Sequence, residues 1–240
     1  VYGEPWQQTA LNRWGGSMGL WHRLLAQMGV AVASMDNHGT PAPKGKAWRK
    51  VVYGKIGSIA SGDQAAGVKN LLARHAFLDG QRVGVWGWSG GGSMTLNLLL
   101  RQPEVYQMGM AVASVPHIRY YDSIYQERYT GLPTDEEERY DRCSPLPLAS
   151  RLRGHLLMVH GSGDDNVHIQ GWENMVNALV EANCPVDLLY YPNRSHGIRE
   201  GKNTSLHLFT ALTRYVGRHL LKQEFPVGAL STRQEEWKGE

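Results

Sequence analysis

The sequence predicts an α/β fold built on a mainly parallel, doubly wound sheet. Short apolar runs alternate along the chain with stretches whose apolar residues recur at helical spacing. Such alternation favours parallel strands that are joined by right-handed crossovers, with helices on both faces of the sheet. The chain of 240 residues is long enough for one large core, and no internal repeat interrupts the pattern. No apolar run reaches the roughly 20 residues of a membrane span.

The elements follow this alternation in order. Strands are predicted at residues 30–35, 82–86, 108–113, 156–160 and 186–191, and helices near 20–28, 63–76, 93–101, 169–182 and 205–221. The segment 116–150 breaks the alternation, and we expect it to lie as an insert over the carboxyl edge of the sheet, where a substrate pocket belongs. We expect one domain over 1–221, followed by a polar, loosely held extension over 222–240.

The most informative motif is Gly-Trp-Ser-Gly-Gly at residues 87–91. It follows a predicted strand and precedes a predicted helix, which is the setting in which such a motif presents a nucleophilic serine. The glycines two before and two after Ser89 leave room for the strand and the helix to approach each other at a tight turn. Ser89 is therefore the candidate nucleophile of an α/β-hydrolase fold.

A nucleophilic serine needs a base, and the base needs an acid that orients it. In this fold the acid and then the histidine follow later strands of the sheet. One predicted strand runs into a turn that holds Asp164 and Asp165, and the next strand is followed by His196. Spacing does not choose between the adjacent aspartates, because one of such a pair commonly caps a helix or ties down the turn. His160 and His168 flank this turn, and we expect both to be structural.

Several segments carry a more specific pattern. They are Val1-Tyr2-Gly3, Gly87-Trp88-Ser89, the tyrosine-rich stretch 120–129, the stretch 160–168 and His196-Gly197. Together they resemble the catalytic domain of the prolyl oligopeptidase family, and within it the dipeptidyl-peptidase-IV branch most. The resemblance extends from the first residue to about Leu221.

The resemblance implies a role for each residue of a catalytic centre. Ser89 would be the nucleophile, Asp164 the acid and His196 the base. The phenol of Tyr2 and the backbone N–H of Gly90 would bind the oxyanion. The choice of Asp164 over Asp165, and any role for Tyr2, depend on the resemblance alone.

The resemblance also implies a pocket for the proline ring that precedes the scissile bond. Its lining residues would be Val115, Tyr121, Tyr125 and Val167, and Asn166 would hold the backbone of the residue bound there. Aromatic faces suit a ring that is flat, apolar and without an N–H to satisfy. Without the resemblance, the tyrosines would be interpreted as an amphipathic helix packed on a core.

The sequence departs from the family pattern at four positions. Glu4 stands where glycine is usual, and its carboxylate is expected beside the oxyanion site. If that position needs a positive φ, a glutamate there also strains the backbone. Gly90 replaces the usual tyrosine after the nucleophile and removes one wall of the pocket. His38 replaces a common arginine, and Ile118 stands where tryptophan is often found. These departures predict a looser or altered specificity pocket.

The resemblance implies neighbours that this sequence does not contain. In the enzymes of this family a β-propeller and the first strands of the hydrolase sheet precede the segment that begins here, and the full-length proteins can be homodimers. The chain is therefore expected to be either a fragment without those parts or a minimal hydrolase that never had a propeller. Its beginning inside a motif favours the fragment, and the sequence leaves the cellular compartment open.

The motifs predict a serine hydrolase with a peptide or small acyl substrate, and the resemblance implies that it cleaves peptide bonds after proline or alanine, as dipeptidyl peptidases do. The alternatives are a carboxylesterase or broad acyl hydrolase, and a non-catalytic binding module on a hydrolase scaffold. The net charge is +3, and the basic cluster at 44–50 lacks the aromatic interleaving of a nucleic-acid reader. Cys143 and Cys184 lack metal or redox spacing, so no metal or cofactor is expected.

Overall fold

The computed structural model describes residues 1–135 and 137–224. Within them, four parallel strands form one sheet in the order β1-β2-β3-β4. The strands are β1 (Gly84–Trp88), β2 (Met108–Val112), β3 (His155–Gly161) and β4 (Asp187–Tyr191). The register pairs Trp88 with Val112 and Gly161 with Tyr191, so the carboxyl ends of all the strands meet at one edge.

Helices connect and flank these strands. They are α1 (Gly16–Gln27), α2 (Gly45–Lys50), α3 (Ser58–Arg74), α4 (Gly90–Arg101), α5 (Ser123–Thr130), α6 (Glu137–Cys143), α7 (Ile169–Glu181) and α8 (Thr204–Val216). A π-helical turn, Gly217–Leu221, continues α8, and two 3₁₀ turns, Ile118–Tyr120 and Leu146–Arg151, lie on either side of α5 and α6. The segment between β2 and β3 is thus built of short helical pieces at the carboxyl edge of the sheet.

The sheet separates two hydrophobic cores. Side chains alternate across β3: Leu156 and Met158 pack with α3, α4 and α7 on one face, while Leu157 and Val159 pack with α1 and α8 on the other. Because successive side chains of a strand point to opposite faces, a strand that is apolar throughout must be covered on both sides. The sequence prediction of a parallel, doubly wound sheet is confirmed.

The element predictions differ from the structure at one strand. The four strands from residue 82 onward and the five helices are confirmed, with ends shifted by a few residues. The strand predicted at 30–35 is wrong, because residues 30–37 have no regular secondary structure. A strand needs a ladder partner, and this segment pairs with no other strand in the described part of the chain. The carbonyl of Met35 instead accepts hydrogen bonds from the side chains of Thr9 and Gln64.

The division into one domain at 1–221 and an extension at 222–240 stays a prediction. Residues 225–240 lie outside the described part of the chain. Just after the π-helical turn, Glu224 accepts hydrogen bonds from the guanidinium of Arg218, so the first residues beyond the predicted domain contact its last turn.

Candidate active site

The turn between β1 and α4 holds Ser89 in a strained conformation. Its backbone has φ 58° and ψ −120°, a left-handed region that non-glycine residues rarely adopt. A Cβ atom on Gly87 would lie 2.2 Å from the carbonyl oxygen of Gly91, so the strand and the helix cross at a distance that only glycine permits. The Ser89 N–H donates to the carbonyl of Val112 at 2.9 Å, which ties the turn to β2. The serine is thereby lifted above the carboxyl edge of the sheet.

The first residues of the chain lie across the beginning of α4. The backbone nitrogen of Val1 donates to the Trp86 carbonyl at 2.9 Å, and Asn37 Nδ2 donates to the Gly3 carbonyl, also at 2.9 Å. A Cβ atom on Gly90 would lie 3.2 Å from Tyr2 Cζ, so the phenol stands directly against the residue that follows Ser89.

This arrangement offers two donors beside the serine. The Gly90 N–H belongs to the first turn of α4, where backbone N–H groups have no partner within the helix. Burial raises the pKa of Tyr2 to about 12, with the nearby Glu4 carboxylate adding to the effect. The phenol therefore keeps its proton at neutral pH and can donate it in a hydrogen bond.

The turn after β3 presents Asp164 to His196. Asp164 Oδ2 lies 2.7 Å from His196 Nδ1, while Oδ1 accepts from the N–H groups of Asn166 at 3.0 Å and Val167 at 2.8 Å. Burial alone would raise the pKa of Asp164, but these hydrogen bonds more than offset it and hold the pKa below its ordinary value. Asp165 is exposed, so the structure brings the first aspartate of the pair to the histidine.

The loop that carries His196 crosses the end of β3 and reaches β1. A Cβ atom on Gly161 would lie 2.3 Å from the Arg194 carbonyl oxygen, so the loop passes directly over this glycine. Trp88 Nε1 donates to the His196 carbonyl at 2.9 Å and links the residue before Ser89 to the histidine. No hydrogen bond joins the Ser89 hydroxyl to the imidazole among the described residues. Such bonds commonly tighten only when substrate is bound.

His160 is a second histidine in contact with Asp164. It is fully buried, its Nε2 donates to the Val167 carbonyl at 2.8 Å, and the same nitrogen lies 3.5 Å from Asp164 Oδ2. Burial lowers the pKa of His160 despite the opposing effect of these two acceptors, so the ring is neutral. Its position fits the structural role expected from the sequence, because it closes the turn that presents the carboxylate.

A cavity of about 390 Å³ opens beside Ser89 and Gly90. Of the predicted pocket residues, the structure places Val115, Tyr121, Tyr125 and Asn166 in its lining. The Tyr121 hydroxyl donates to Asn166 Oδ1 at 3.1 Å, which joins two sides of the mouth. Val167 is 2% exposed and is not among the lining residues. Ile118 also lines the cavity, where the family pattern often has tryptophan.

The sequence left the direction of Glu4 open, and the structure turns this side chain into the cavity. Glu4 has no positive φ, so the alternative of backbone strain at this position is wrong. Its Oε2 accepts from the Tyr125 hydroxyl at 2.9 Å, and its Cγ lies 2.5 Å from where a Cβ atom on Gly90 would be. Burial raises the pKa of Glu4 from its ordinary value of 4.5 to about 7. Only the departure from the family pattern at this position could have drawn attention to it.

Other kinds of site have no support in the part of the chain that the structure describes. There, no group of three or more histidine, cysteine, aspartate and glutamate side chains could hold a metal ion. None of the helices in residues 1–135 and 137–224 is long and apolar enough to cross a membrane. Cys143 and Cys184 are both free thiols.

Comparison with known proteins gives the same family as the motifs. The sequence profile of the prolyl oligopeptidase family matches residues 16–223. The chain belongs to the prolyl oligopeptidase family. Within the family it is 34% identical to prolyl endopeptidase FAP of Mus musculus over 94% of this chain and 29% of that protein. It is 33% identical to dipeptidyl peptidase 8 of Homo sapiens over 92% of this chain and 25% of that protein.

Solved structures of the family have the same fold. The crystal structure of Porphyromonas gingivalis dipeptidyl peptidase 4 has 39% sequence identity to this chain and a TM-score of 0.86, and the match covers 91% of this chain and 30% of that one. A crystal structure of a dipeptidyl aminopeptidase IV from Bacteroides ovatus, described as putative, gives 32% identity and a TM-score of 0.82. The predicted α/β-hydrolase fold is thereby confirmed. The chain spans between 25% and 31% of the length of these four family members.

Proposed function

We propose that this chain carries the catalytic centre of a serine peptidase that cleaves peptide bonds after proline or alanine, in the manner of the dipeptidyl peptidases. The observation that carries the proposal is the 2.7 Å hydrogen bond between Asp164 and His196, at the same edge of the sheet as the strained Ser89 turn. Nucleophile, base and acid then occur in the chain order of an α/β-hydrolase.

Each residue has one step in the proposed reaction. His196 takes the proton of the Ser89 hydroxyl as the oxygen attacks the peptide carbonyl carbon, and Asp164 stabilises the imidazolium that forms. His196 then gives this proton to the leaving amine, which leaves an acyl group on Ser89. Water, activated by the same histidine, releases the acyl group and restores the serine.

The oxyanion of the tetrahedral intermediate would accept hydrogen bonds from Tyr2 and from the Gly90 N–H. The proximity of the Tyr2 ring to Gly90 supports this pair, because both donors then approach the reacting carbonyl from one side. Tyr121, Tyr125 and Val115 would hold the residue before the scissile bond, and Asn166 would hold its backbone. The lining of the cavity supports these roles, and Val167, which does not line it, would act only by fixing the Asp164 turn.

A carboxylesterase is the second candidate, and one observation favours it. The cavity beside Ser89 is lined in large part by aromatic and aliphatic side chains, which also suit the acyl group of a short ester. The resemblance further implies a homodimer and a preceding β-propeller, and both stay predictions.

A fluorophosphonate probe followed by turnover assays tests the proposal. The wild-type chain should be labelled and should release the leaving group from glycyl-prolyl and glycyl-alanyl amides. Ser89→Ala should lose labelling and lower turnover by about 10⁴- to 10⁶-fold with an unchanged unfolding midpoint. Turnover of short acyl esters alone would favour the carboxylesterase. Absence of labelling in the folded wild-type chain would contradict both enzymes and favour a binding module.

A further inference from the structure

The Glu4 carboxylate is an acceptor that the protein leaves half-satisfied inside the cavity. Its Oε2 accepts from Tyr125 at 2.9 Å, and among the described residues no other group donates to either oxygen. Glu4 is half-buried, and a carboxylate that is partly removed from water is stabilised by each donor that replaces a lost water molecule. A ligand that brings a donor would provide this stabilisation.

No positive charge from the described residues lines the cavity into which Glu4 points. The residues that line the cavity include no lysine, arginine or histidine in the described part of the chain. The groups that face Glu4 are the hydroxyls of Tyr2, Tyr121 and Tyr125, and the exposed Asp122 adds a second carboxylate at the rim. A cation that enters this cavity therefore meets two carboxylates and no competing cation.

The position of Glu4 decides which part of a substrate would reach it. Its side chain stands over Gly90, the residue that directly follows Ser89, and it leans towards Tyr125 in the cavity wall. In the acyl-enzyme, the substrate residue whose carbonyl carbon is bonded to Ser89 would lie beside Gly90 and therefore close to Glu4. The group that contacts Glu4 would thus belong to the substrate residue that supplies the attacked carbonyl.

We infer that Glu4 is a specificity-determining residue that binds an amine carried by the substrate residue before the scissile bond. The inference takes the location of that bond from the proposed function, and it adds an amine-bearing residue to proline and alanine, which carry no side-chain amine, at the position before the bond. The amine has two possible sources, a lysine-like side chain or the free α-amino group of that residue. Both would bind as an ammonium through a charge-assisted hydrogen bond to the carboxylate. The raised pKa of Glu4 fits an acid group that is held without its partner.

Two matched pairs of aminomethylcoumarin amides distinguish these sources. The first pair is the amides of glycyl-lysine and glycyl-norleucine, of which only the lysine compound has a side-chain ammonium. The second pair is the amides of norleucine and Nα-acetyl-norleucine, of which only the unacetylated compound has an α-ammonium. At pH 8 we expect the wild-type kcat/KM to favour the amine-bearing member of at least one pair by about 10- to 100-fold. Glu4→Gln, which keeps the shape and removes the charge, should bring that ratio to within about 3-fold. Glu104→Gln, which makes the same change at an exposed carboxylate outside the cavity lining, is the matched control and should retain the preference.

Binding to the Ser89→Ala variant separates this inference from the proposed function. Calorimetry with the plain amides of the same pairs should give a Kd that is about 10-fold lower for the amine-bearing member, and Ser89→Ala/Glu4→Gln should lose the difference. If the Ser89→Ala variant shows this preference but the fluorophosphonate does not label the folded wild-type chain, the proposed function fails and the amine site stands. If the chain is labelled and active but neither pair shows a preference that depends on Glu4, the inference is overturned and the proposed function stands.

Discussion

Glu4 and Gly90 share one volume. The Cβ atom that any other residue would place at position 90 would lie 2.5 Å from Glu4 Cγ, closer than two non-bonded carbon atoms can approach. The glutamate therefore depends on the glycine, and a larger residue at position 90 would require a smaller one at position 4. The two departures that the resemblance implies, glutamate for glycine at position 4 and glycine for tyrosine at position 90, thus meet in the structure as an exchange of side-chain volume between neighbouring positions.

This exchange predicts a strong coupling between the two positions. Gly90→Ala alone should lower kcat/KM, because the new methyl group must displace Glu4 or the Tyr2 ring at 3.2 Å. In a Glu4→Gly background the same change should cost far less. We expect a coupling of about 2- to 100-fold in kcat/KM in a double-mutant cycle on a neutral substrate. Equal effects of Gly90→Ala in the two backgrounds would contradict the shared volume.

The two aspartates of the β3 turn should differ sharply. Asp164→Asn replaces the acceptor of the His196 Nδ1–H and disturbs the imidazole tautomer, so we expect kcat to fall by about 10⁴-fold. Asp165→Asn removes a charge of the same kind from an exposed neighbour and should change kcat by less than about 3-fold. Steady-state kinetics on both variants, with unfolding midpoints as the control, measure the difference. The reverse order would mean that the turn is shifted by one residue in solution.

The phenol of Tyr2 should matter for turnover more than for binding. Tyr2→Phe keeps the ring against Gly90 and removes only the donor, so we expect kcat to fall by about 10²- to 10³-fold with little change in KM. Tyr121→Phe is the matched control, because its hydroxyl donates to Asn166 at the mouth of the cavity. An unchanged kcat in Tyr2→Phe would remove this residue from the oxyanion site.

The acid group in the cavity should make stability depend on pH. Burial raises the pKa of Glu4 from 4.5 to about 7, so the folded chain holds the proton more tightly than the unfolded chain does. This contribution is fully present below about pH 4.5 and is lost as the pH rises through 7. The free energy of unfolding of Glu4→Gln should therefore increase relative to wild type between pH 5 and pH 8 and then level off.

Urea unfolding of both proteins at several pH values measures the difference between their free energies of unfolding. Titratable groups that both proteins contain contribute equally to the two values and cancel from this difference. Of the groups that face Glu4, the three tyrosines have pKa values raised above the ordinary range of tyrosine and do not titrate in this window. A constant difference between the two proteins from pH 5 to pH 8 would mean that Glu4 is solvated.

The sequence predicted most of the sheet because its strands carry their own signal. Residues of β2 and β3 are apolar throughout, and both faces of a central parallel strand are covered. The segment 30–35 carries a similar signal but is not a strand, because strand formation depends on a neighbour that the pattern of one segment cannot reveal. The order of Ser89, the aspartate pair and His196 could be predicted in the same way, because each of them follows the end of a predicted strand.

Contacts between distant segments could not be predicted in this way. The choice of Asp164 needed a family resemblance, since both aspartates occupy the same turn and only the fold aims one of them at the histidine. The direction of Glu4 depends on the hydroxyl of Tyr125, which lies 121 residues later in the chain.

The indole of Trp88 has a consequence for how the site withstands motion of the sheet. Strands β1 and β4 are three spacings apart in the described sheet, about 14 Å at the usual separation of strands. The loop that follows β4 must carry His196 across that span. A loop attached to the sheet only at β4 would leave the imidazole free to move relative to Ser89. Because the Trp88 indole donates to the His196 carbonyl, the position of the imidazole is fixed relative to β1, the strand that leads into Ser89. We therefore expect a displacement of β4 relative to β1 to bend the loop more than it changes the distance between Ser89 and His196.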